Sequence, residues 1–314
     1  MDEEELVRYL HRNFPYPGGK GIGDDASVRP YAHEPGGRRI VAKDIFIEGT
    51  HFSLKYFSLS QAAEKAVGAN VSDMAAMGGI GEEIYLGLGF PRESNASQLR
   101  EVFQGVRSAC RRWKLRLGGG DISKAPCWMI SVTICGHAVR PVYRDGARNG
   151  DRIGLIGRTG ESALGLTLLE RDRGNNPFSR RHLRIFPHLR EARELARVAS
   201  AMIDVSDGLI KDLGRILTAS GVGAQIQLEK LPISRRMQAC CRENGLDARL
   251  LALTGGEDYA LLCCIPPQRL ELLQGSAGYP KLIGHIRRTP RKLSLVSNGT
   301  PVSLPVGGYD HFAN

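Results

Sequence analysis

Both halves of this chain alternate short apolar strand runs with amphipathic helical stretches, and few architectures accept that order. In the first half a strand is predicted at about Arg39 to Phe46. A helix follows from about Ser60 to Met77, with Ala63, Ala66, Val67, Met74 and Met77 at helical spacing. Ile84 to Phe90 reads as a strand that stops at Pro91. Leu99, Val102, Phe103, Val106, Cys110 and Trp113 then form one helical stripe behind Asn95, a natural cap. Leu115 to Leu117 runs into Gly118-Gly119-Gly120, read as glycines ending a strand, and Met129 to Cys135 alternates as another. Residues 2 to 14 suit a short helix with an acidic first turn.

Pro141, Gly146 and Gly150 punctuate residues 141 to 152, so we place a domain boundary there, giving units 1–140 and 141–314. Beyond it, strands are expected at Arg152 to Ile156, Ala201 to Val205, Ala224 to Leu228, Tyr259 to Ile265, Leu282 to Ile286 and Leu293 to Val296. Helices are expected after Gly160, over Leu189 to Ser200, and after Ser206-Asp207-Gly208. The class is α/β (α+β) with two domains.

No window approaches 18 uninterrupted apolar residues, and the acidic start Asp2 to Glu5 has no apolar run behind it, so neither membrane span nor signal peptide is expected. Seven cysteines without a C-x-x-C spacing fit neither a disulfide framework nor a zinc site, which points to the cytoplasm. The 43 basic against 33 acidic residues are scattered, and aromatics are only 6%, so no nucleic-acid groove is expected. A basic surface still suits anionic ligands.

In this basic chain the acids sit where they are costly: Asp24-Asp25 after Gly21-Ile22-Gly23, Asp44 in a strand, Asp73 among alanines and methionines. Asp121 follows three glycines, Asp204 and Asp207 flank a strand-to-helix turn, and Glu257-Asp258 follow Gly255-Gly256. Carboxylates beside apolar strands need compensation, and hard divalent cations on oxygen ligands supply it while holding phosphates. Blander readings stand beside this one. Asp24-Asp25 fits an ordinary turn, Asp207 fits a helix N-cap, and Gly157 to Gly160 is structural. Asn70 and Asp73 share a helical face inside an apolar stripe, which favours function. There is no G-x-x-x-x-G-K-[ST] and no protein-kinase motif set, so a bound nucleotide would be held by metals and acids.

The strings GIGDDASV (21–28), DIFIEGTHF (44–52), NVSDMAAMGG (70–79), GGDIS (119–123), RDGARNGD (144–151), IDVSDGL (203–209), GGEDYALL (255–262) and GYDHF (308–312) follow one another in order over almost the whole chain. In them the chain resembles the thiamine-monophosphate kinase family, of the aminoimidazole ribonucleotide synthetase and selenophosphate synthetase superfamily. The resemblance implies a two-domain aminoimidazole ribonucleotide synthetase-like fold whose N-terminal sheet-with-helices domain dimerises, and a C-terminal α/β domain. It implies ATP and thiamine monophosphate as substrates, several magnesium ions, and a homodimer with ATP at the junction. Carried over residue by residue, Asp25, Asp44, Asp73, Asp121, Asp204 and Asp207 match metal-binding acids. Gly120, Asp121, Arg144 and Ser206 match ATP contacts, and His51, Glu257 and Tyr309 match substrate contacts. An activating ligase of the same superfamily and a non-catalytic nucleic-acid-binding relative are the alternatives.

Two positions depart from the family pattern. Ala42-Lys43 stands where Ser-Thr or Thr-Thr precedes the strand aspartate, and Gln104 stands where a tyrosine lies beside the adenine. Strand alternation puts Lys43 and Asp44 on opposite faces, leaving open a solvent-facing lysine or an ammonium in place of one metal ion.

Overall fold

The computed structural model describes residues 20, 24–30, 37–174, 176–289 and 292–303. The first half holds β1 (Ser27–Pro30), β2 (Arg38–Ile47), α1 (Leu59–Ala76), β3 (Ile80–Phe90), α2 (Ala96–Trp113), β4 (Arg116–Lys124) and β5 (Met129–Ala138). Its five strands form one sheet in the order β1-β2-β5-β3-β4, antiparallel except for the β3–β4 pair. Ile40, Ala42 and Phe46 of β2, with Ile84, Leu86, Ile130, Val132 and Ile134, turn inward to the core that α1 covers. Period two sends Lys43, Ile45, Tyr85, Ser131 and Thr133 to the opposite face. That face stays open among the described residues, with Ile45 and Tyr85 42% and 41% exposed.

The second half contains β6 (Arg152–Ile156), α3 (Glu161–Glu170), α4 (Pro177–Leu183), α5 (Leu189–Leu195), β7 (Ala201–Val205), α6 (Leu209–Ser220), β8 (Gly223–Gln227), α7 (Arg235–Glu243), α8 (Ala248–Thr254), β9 (Ala260–Ile265), β10 (Lys281–Arg287), β11 (Leu293–Ser297) and β12 (Thr300–Val302). Its seven strands run in the order β12-β11-β8-β10-β6-β9-β7.

Helix α1 joins the two halves. Ser58 and Gln61 close a capping box at its start, and its small residues let neighbours approach closely. A Cβ on Gly105 of α2 would sit 2.1 Å from the Ser60 carbonyl. Ala66, Val67 and Met74 pack into the first core, whereas Ala75 and Ala76 pack with Leu195, Met202, Leu261 and Ile265 of the second half. In a helix covered on nearly all sides, polar residues call for partners. In α1 the buried Lys65 and Ser72 meet Glu257 and Asp204, whereas among the described residues Asn70 Oδ1 has no partner and Asp73 faces other carboxylates.

Some expectations change. Strand β4 does not end at its glycines but continues through Asp121 to Lys124. Gly120 is required by the sheet itself, since a Cβ there would lie 1.9 Å from the Leu86 carbonyl of β3. Helix α5 stops at Leu195, short of Ser200, and α4, α7 and α8 carried too few apolar repeats to be read from sequence. Residues 2 to 14 and the GYDHF string lie outside the described residues. No helix among the described residues is long and apolar enough to cross a membrane.

Candidate active site

Four acids from four different segments meet where the two halves join. Asp25 precedes β1, Asp44 lies in β2, Asp73 in α1 and Asp204 in β7. Ligand oxygens of Asp25, Asp73 and Asp204 all fall within 4.8 Å of one another. At that separation two ionised carboxylates repel by about 3–4 kcal/mol even at an effective dielectric constant near 20. Burial, and then the neighbouring carboxylates, hold the Asp73 and Asp204 carboxyls well above the usual range. The same causes push Asp44 up to about 6, with Asp25 and Asp207 as its charged neighbours.

The compensation present is small. Arg144 Nη2 donates to Asp25 Oδ1 at 2.5 Å, and the Arg144 backbone N–H donates to Asp24 Oδ1 at 2.8 Å. The Ser72 hydroxyl donates to Asp204 Oδ2 at 2.6 Å. Asp25 Oδ2 is buried with no protein partner. An orphaned carboxylate oxygen within an all-oxygen, three-carboxylate group is what a hard divalent cation requires, so these residues fit magnesium.

A cavity of about 290 Å³ opens from this group, and Asp44, Asp73, Ser206 and Asp207 line it together with His51, His182, Glu257 and Tyr259. Six residues singled out from sequence therefore share one cavity. Ser206 and Asp207 are placed by the tight turn from β7 to α6. Asp207 does not cap that helix, whose N-cap is Gly208 at φ +119°. Its carboxylate is instead held by Arg215 at 2.5 Å and Lys211 at 3.4 Å. Asp212 takes over the cap by accepting the N–H groups of Asp207 and Gly208 at 3.0 and 3.2 Å.

The opposite wall is a strained turn. Glu257 and Tyr259 sit at φ +61° and +52°, a region that non-glycine residues seldom occupy. Between them Asp258 accepts the N–H groups of Gly160 at 2.5 Å and Ser162 at 2.9 Å, capping α3. Burial nevertheless pushes its carboxyl up to about 7. Glu257 Oε2 meets Lys65 Nζ at 3.1 Å and lies 3.4 Å from His182 Nδ1, which is also 3.1 Å from the Ser162 hydroxyl. His51 Nδ1 accepts the Ile47 N–H at 3.1 Å, which fixes its ring. Lys65 and Asp73 are eight residues apart in α1, about 12 Å of helix axis. The Glu257 end and the carboxylate end of the cavity are thus a small molecule's length apart.

Gly120 and Asp121 do not join this group. Asp44, Val132, Leu86 and Gly120 are consecutive partners across β2, β5, β3 and β4, which puts Gly120 three strands, about 14 Å, from Asp44. Every residue of edge strand β4 is exposed. Lys43, on the open face, donates to the Ser131 hydroxyl at 2.6 Å and points away from Asp44. Tyr309 lies outside the described residues. Sequence reasoning missed Lys65, His182 and Arg215. Lys65 carried the same signal as Asp73, a charge in an apolar helical stripe, whereas His182 sits in a helix with no motif around it and Arg215 lies beyond the end of the IDVSDGL string.

Residues 23–138 match the family described as AIR synthase related protein, N-terminal domain, and residues 148–292 match its C-terminal domain. The chain is 35% identical over 255 residues to the thiamine-monophosphate kinase of Aquifex aeolicus, covering 80% of this chain and 82% of that protein. It is 34% identical over 307 residues to the Salmonella typhimurium thiamine-monophosphate kinase, covering 93% and 92%. The solved structure of AaThiL complexed with AMPPCP and TMP superposes with a TM-score of 0.87 at 30% identity, covering 99% of this chain and 97% of that one. Fold, sequence and the cavity lined by matching strings agree, and the chain belongs to the thiamine-monophosphate kinase family of AIR synthase related proteins.

Proposed function

We propose that this chain transfers the γ-phosphoryl group of ATP to the phosphate of thiamine monophosphate, giving thiamine diphosphate and ADP in the cytoplasm. The observation that carries the reading is the single cavity that connects an under-compensated carboxylate group to Ser206 on one side and to His51 and Glu257 on the other.

The reaction brings two phosphate anions together, so the protein's task is alignment and charge neutralisation. Asp25, Asp44, Asp73 and Asp204 would hold magnesium, which supplies positive charge to the phosphate oxygens. Arg144, anchored on Asp25, adds a fixed guanidinium for the nucleotide, and the Ser206 hydroxyl orients it. The acceptor phosphate is already ionised near neutral pH, so no side chain need act as general base. At the other end Glu257, paired with Lys65, faces the cavity where the cationic ring system of thiamine would lie. His51, with Nδ1 engaged by Ile47, keeps its proton on Nε2 as a donor.

The exposed β4 edge and the open sheet face suit a second copy of the chain. In such a homodimer Gly120 and Asp121 would reach the partner's carboxylates, which their own chain holds about 14 Å away. The division at residues 140 and 141 would separate the pairing unit from the C-terminal one. An assay with ATP and magnesium over a panel of phosphorylated acceptors, reading thiamine diphosphate directly, tests the proposal. Turnover of a different acceptor with no thiamine diphosphate would overturn it.

A further inference from the structure

Two side chains converge on one oxygen of Glu257. Lys65 Nζ, from α1, donates to Oε2 at 3.1 Å, and His182 Nδ1, from α4, stands 3.4 Å from that same oxygen. Oε1 has no hydrogen-bond partner among the described residues, although Glu257 lines the cavity and its side chain is 27% exposed. The last torsion of a glutamate is broad, so a carboxyl group held by nothing turns readily. Two neighbours on one oxygen stop that turning and leave the other oxygen as an acceptor toward the cavity.

His182 is itself fixed by packing. Helix α4 lies so close to α3 that a Cβ on Gly165 would sit 2.1 Å from the Phe178 carbonyl and 3.1 Å from His182 Cβ. The imidazole centroid is 5.7 Å from that of Phe57 and 6.2 Å from that of Tyr56, and Nδ1 is 3.1 Å from the Ser162 hydroxyl. Burial, and then the Lys65 charge, hold the ring far below its ordinary titration range, so it carries a single N–H. On Nδ1 that proton faces two oxygens that can accept it. On Nε2 it would leave the Nδ1 lone pair against the Glu257 oxygen, so the partners assign the proton to Nδ1.

We infer that His182 is a positioning residue for Glu257 and, through it, sets which acceptor the cavity prefers. With Lys65 it occupies Oε2, so that Oε1 is offered to an N–H donor on the ring system of the acceptor. Thiamine carries one such group, its ring amine. The inference rests on reading Glu257 as the acceptor end of the cavity.

Steady-state rates of the full chain test it, with thiamine monophosphate and with the analogue whose ring amine is replaced by hydrogen. In the natural protein the analogue is expected to show a KM about 10–100-fold higher, as for an acceptor left unpaired, with the KM for ATP unmoved. His182→Phe keeps a ring beside Tyr56 and Phe57 but has no N–H. It is expected to raise the KM for thiamine monophosphate about 10-fold and to leave that for the analogue in place, so the preference shrinks. His182→Asn, whose amide N–H can take the Nδ1 position, is expected to keep most of the preference. His182→Gln puts its amide at the Nε2 position instead, should behave as His182→Phe does, and serves if that variant folds poorly. A packing role would raise both KM values alike in His182→Phe. That result, no recovery in His182→Asn, or a natural protein that takes both acceptors equally would overturn the inference. If neither acceptor yields a diphosphate, the reading of the reaction fails, and this inference with it.

Discussion

The backbone N–H of Glu257 donates to the carbonyl of Ser206 at 2.6 Å, stitching one wall of the cavity to the turn between β7 and α6. Two residues on, Tyr259 N–H donates to the Val205 carbonyl at 2.9 Å. The positive φ values at Glu257 and Tyr259 follow from keeping both bonds while Asp258 turns away to cap α3. The two walls of the cavity are therefore held at a fixed distance by backbone, which is stiffer than side chains. Relaxing that turn should disturb both ligands together.

The quartet holds repulsion that the proposed cation site would relieve. Asp73→Asn is expected to lower turnover by about 10²–10⁴-fold, because a lost carboxylate removes charge stabilisation from the transferring group. The metal-free variant is expected to melt at or above the natural protein, since one of several carboxylates within 4.8 Å has become neutral. Calorimetry in a chelator, beside steady-state rates, checks both halves. A variant that is slow and also unstable without metal would mean that Asp73 serves packing.

Lys65 should act on the acceptor alone. It is the largest fully buried side chain of α1, and its ammonium lies 3.1 Å from Glu257 and 5.2 Å from the Phe57 ring centre. Without it Glu257 loses the one ammonium that pairs with it among the described residues, and with it a fixed orientation. Lys65→Met and Glu257→Gln are each expected to raise the KM for thiamine monophosphate about 10–100-fold, as for hydrogen bonds to charged groups. The KM for ATP should barely move. The double variant should cost little more than either single one, because the two residues act as a pair. Additive losses would show that Lys65 reaches the ligand independently.

Most of the strands, the two longest helices and the costly acids as candidates were legible in the sequence, because each rests on local periodicity or on a charged residue in an apolar setting, whereas β1, β12 and the strand order were not. Asn95 does cap α2, and the bounds predicted for β7 are those observed. Asp207 could not be resolved that way, since whether it caps, binds or pairs depends on Arg215, eight residues on and brought close only by the turn. The strand end expected at Gly118 to Gly120 failed for a related reason, as the fit of Gly120 shows. Its missing Cβ answers to Leu86 of the neighbouring strand, a contact that no linear pattern records.

Acid should destabilise the protein partly through His182. Burial, and then the nearby Lys65 charge, push its imidazole down to about 2 from an ordinary value near 6.5. Above 6.5 both folded and unfolded states leave the ring neutral. Below it the unfolded chain takes a proton that the folded one refuses, so stability falls with falling pH from about 6.5 downward. The loss approaches about 1.4 kcal/mol per unit, roughly 2–3 kcal/mol by pH 4.5. His182→Gln is expected to flatten that slope in urea titrations between pH 6.5 and 4.5. An unchanged slope would place the acid sensitivity elsewhere.

The distance between Asp44 and the exposed strand of Asp121 makes the dimer testable by mixing. If each site takes Asp121 from one chain and Asp73 from the other, Asp73→Asn and Asp121→Asn homodimers are both nearly inactive. Co-folding the two variants one to one makes half the dimers mixed, and each mixed dimer has one site carrying both substitutions and one carrying neither. About a quarter of natural activity should then return, with no change in either variant's mass by light scattering. Leu117→Glu and Ile122→Glu, on exposed β4 positions at 47% and 54% accessibility, are expected to give monomers that bind ATP weakly and turn over little. Should the mixture stay as inactive as its parents while remaining dimeric, Asp121 does not complete the partner's site. It would then be a surface acid on an edge strand, three strands away from the chemistry.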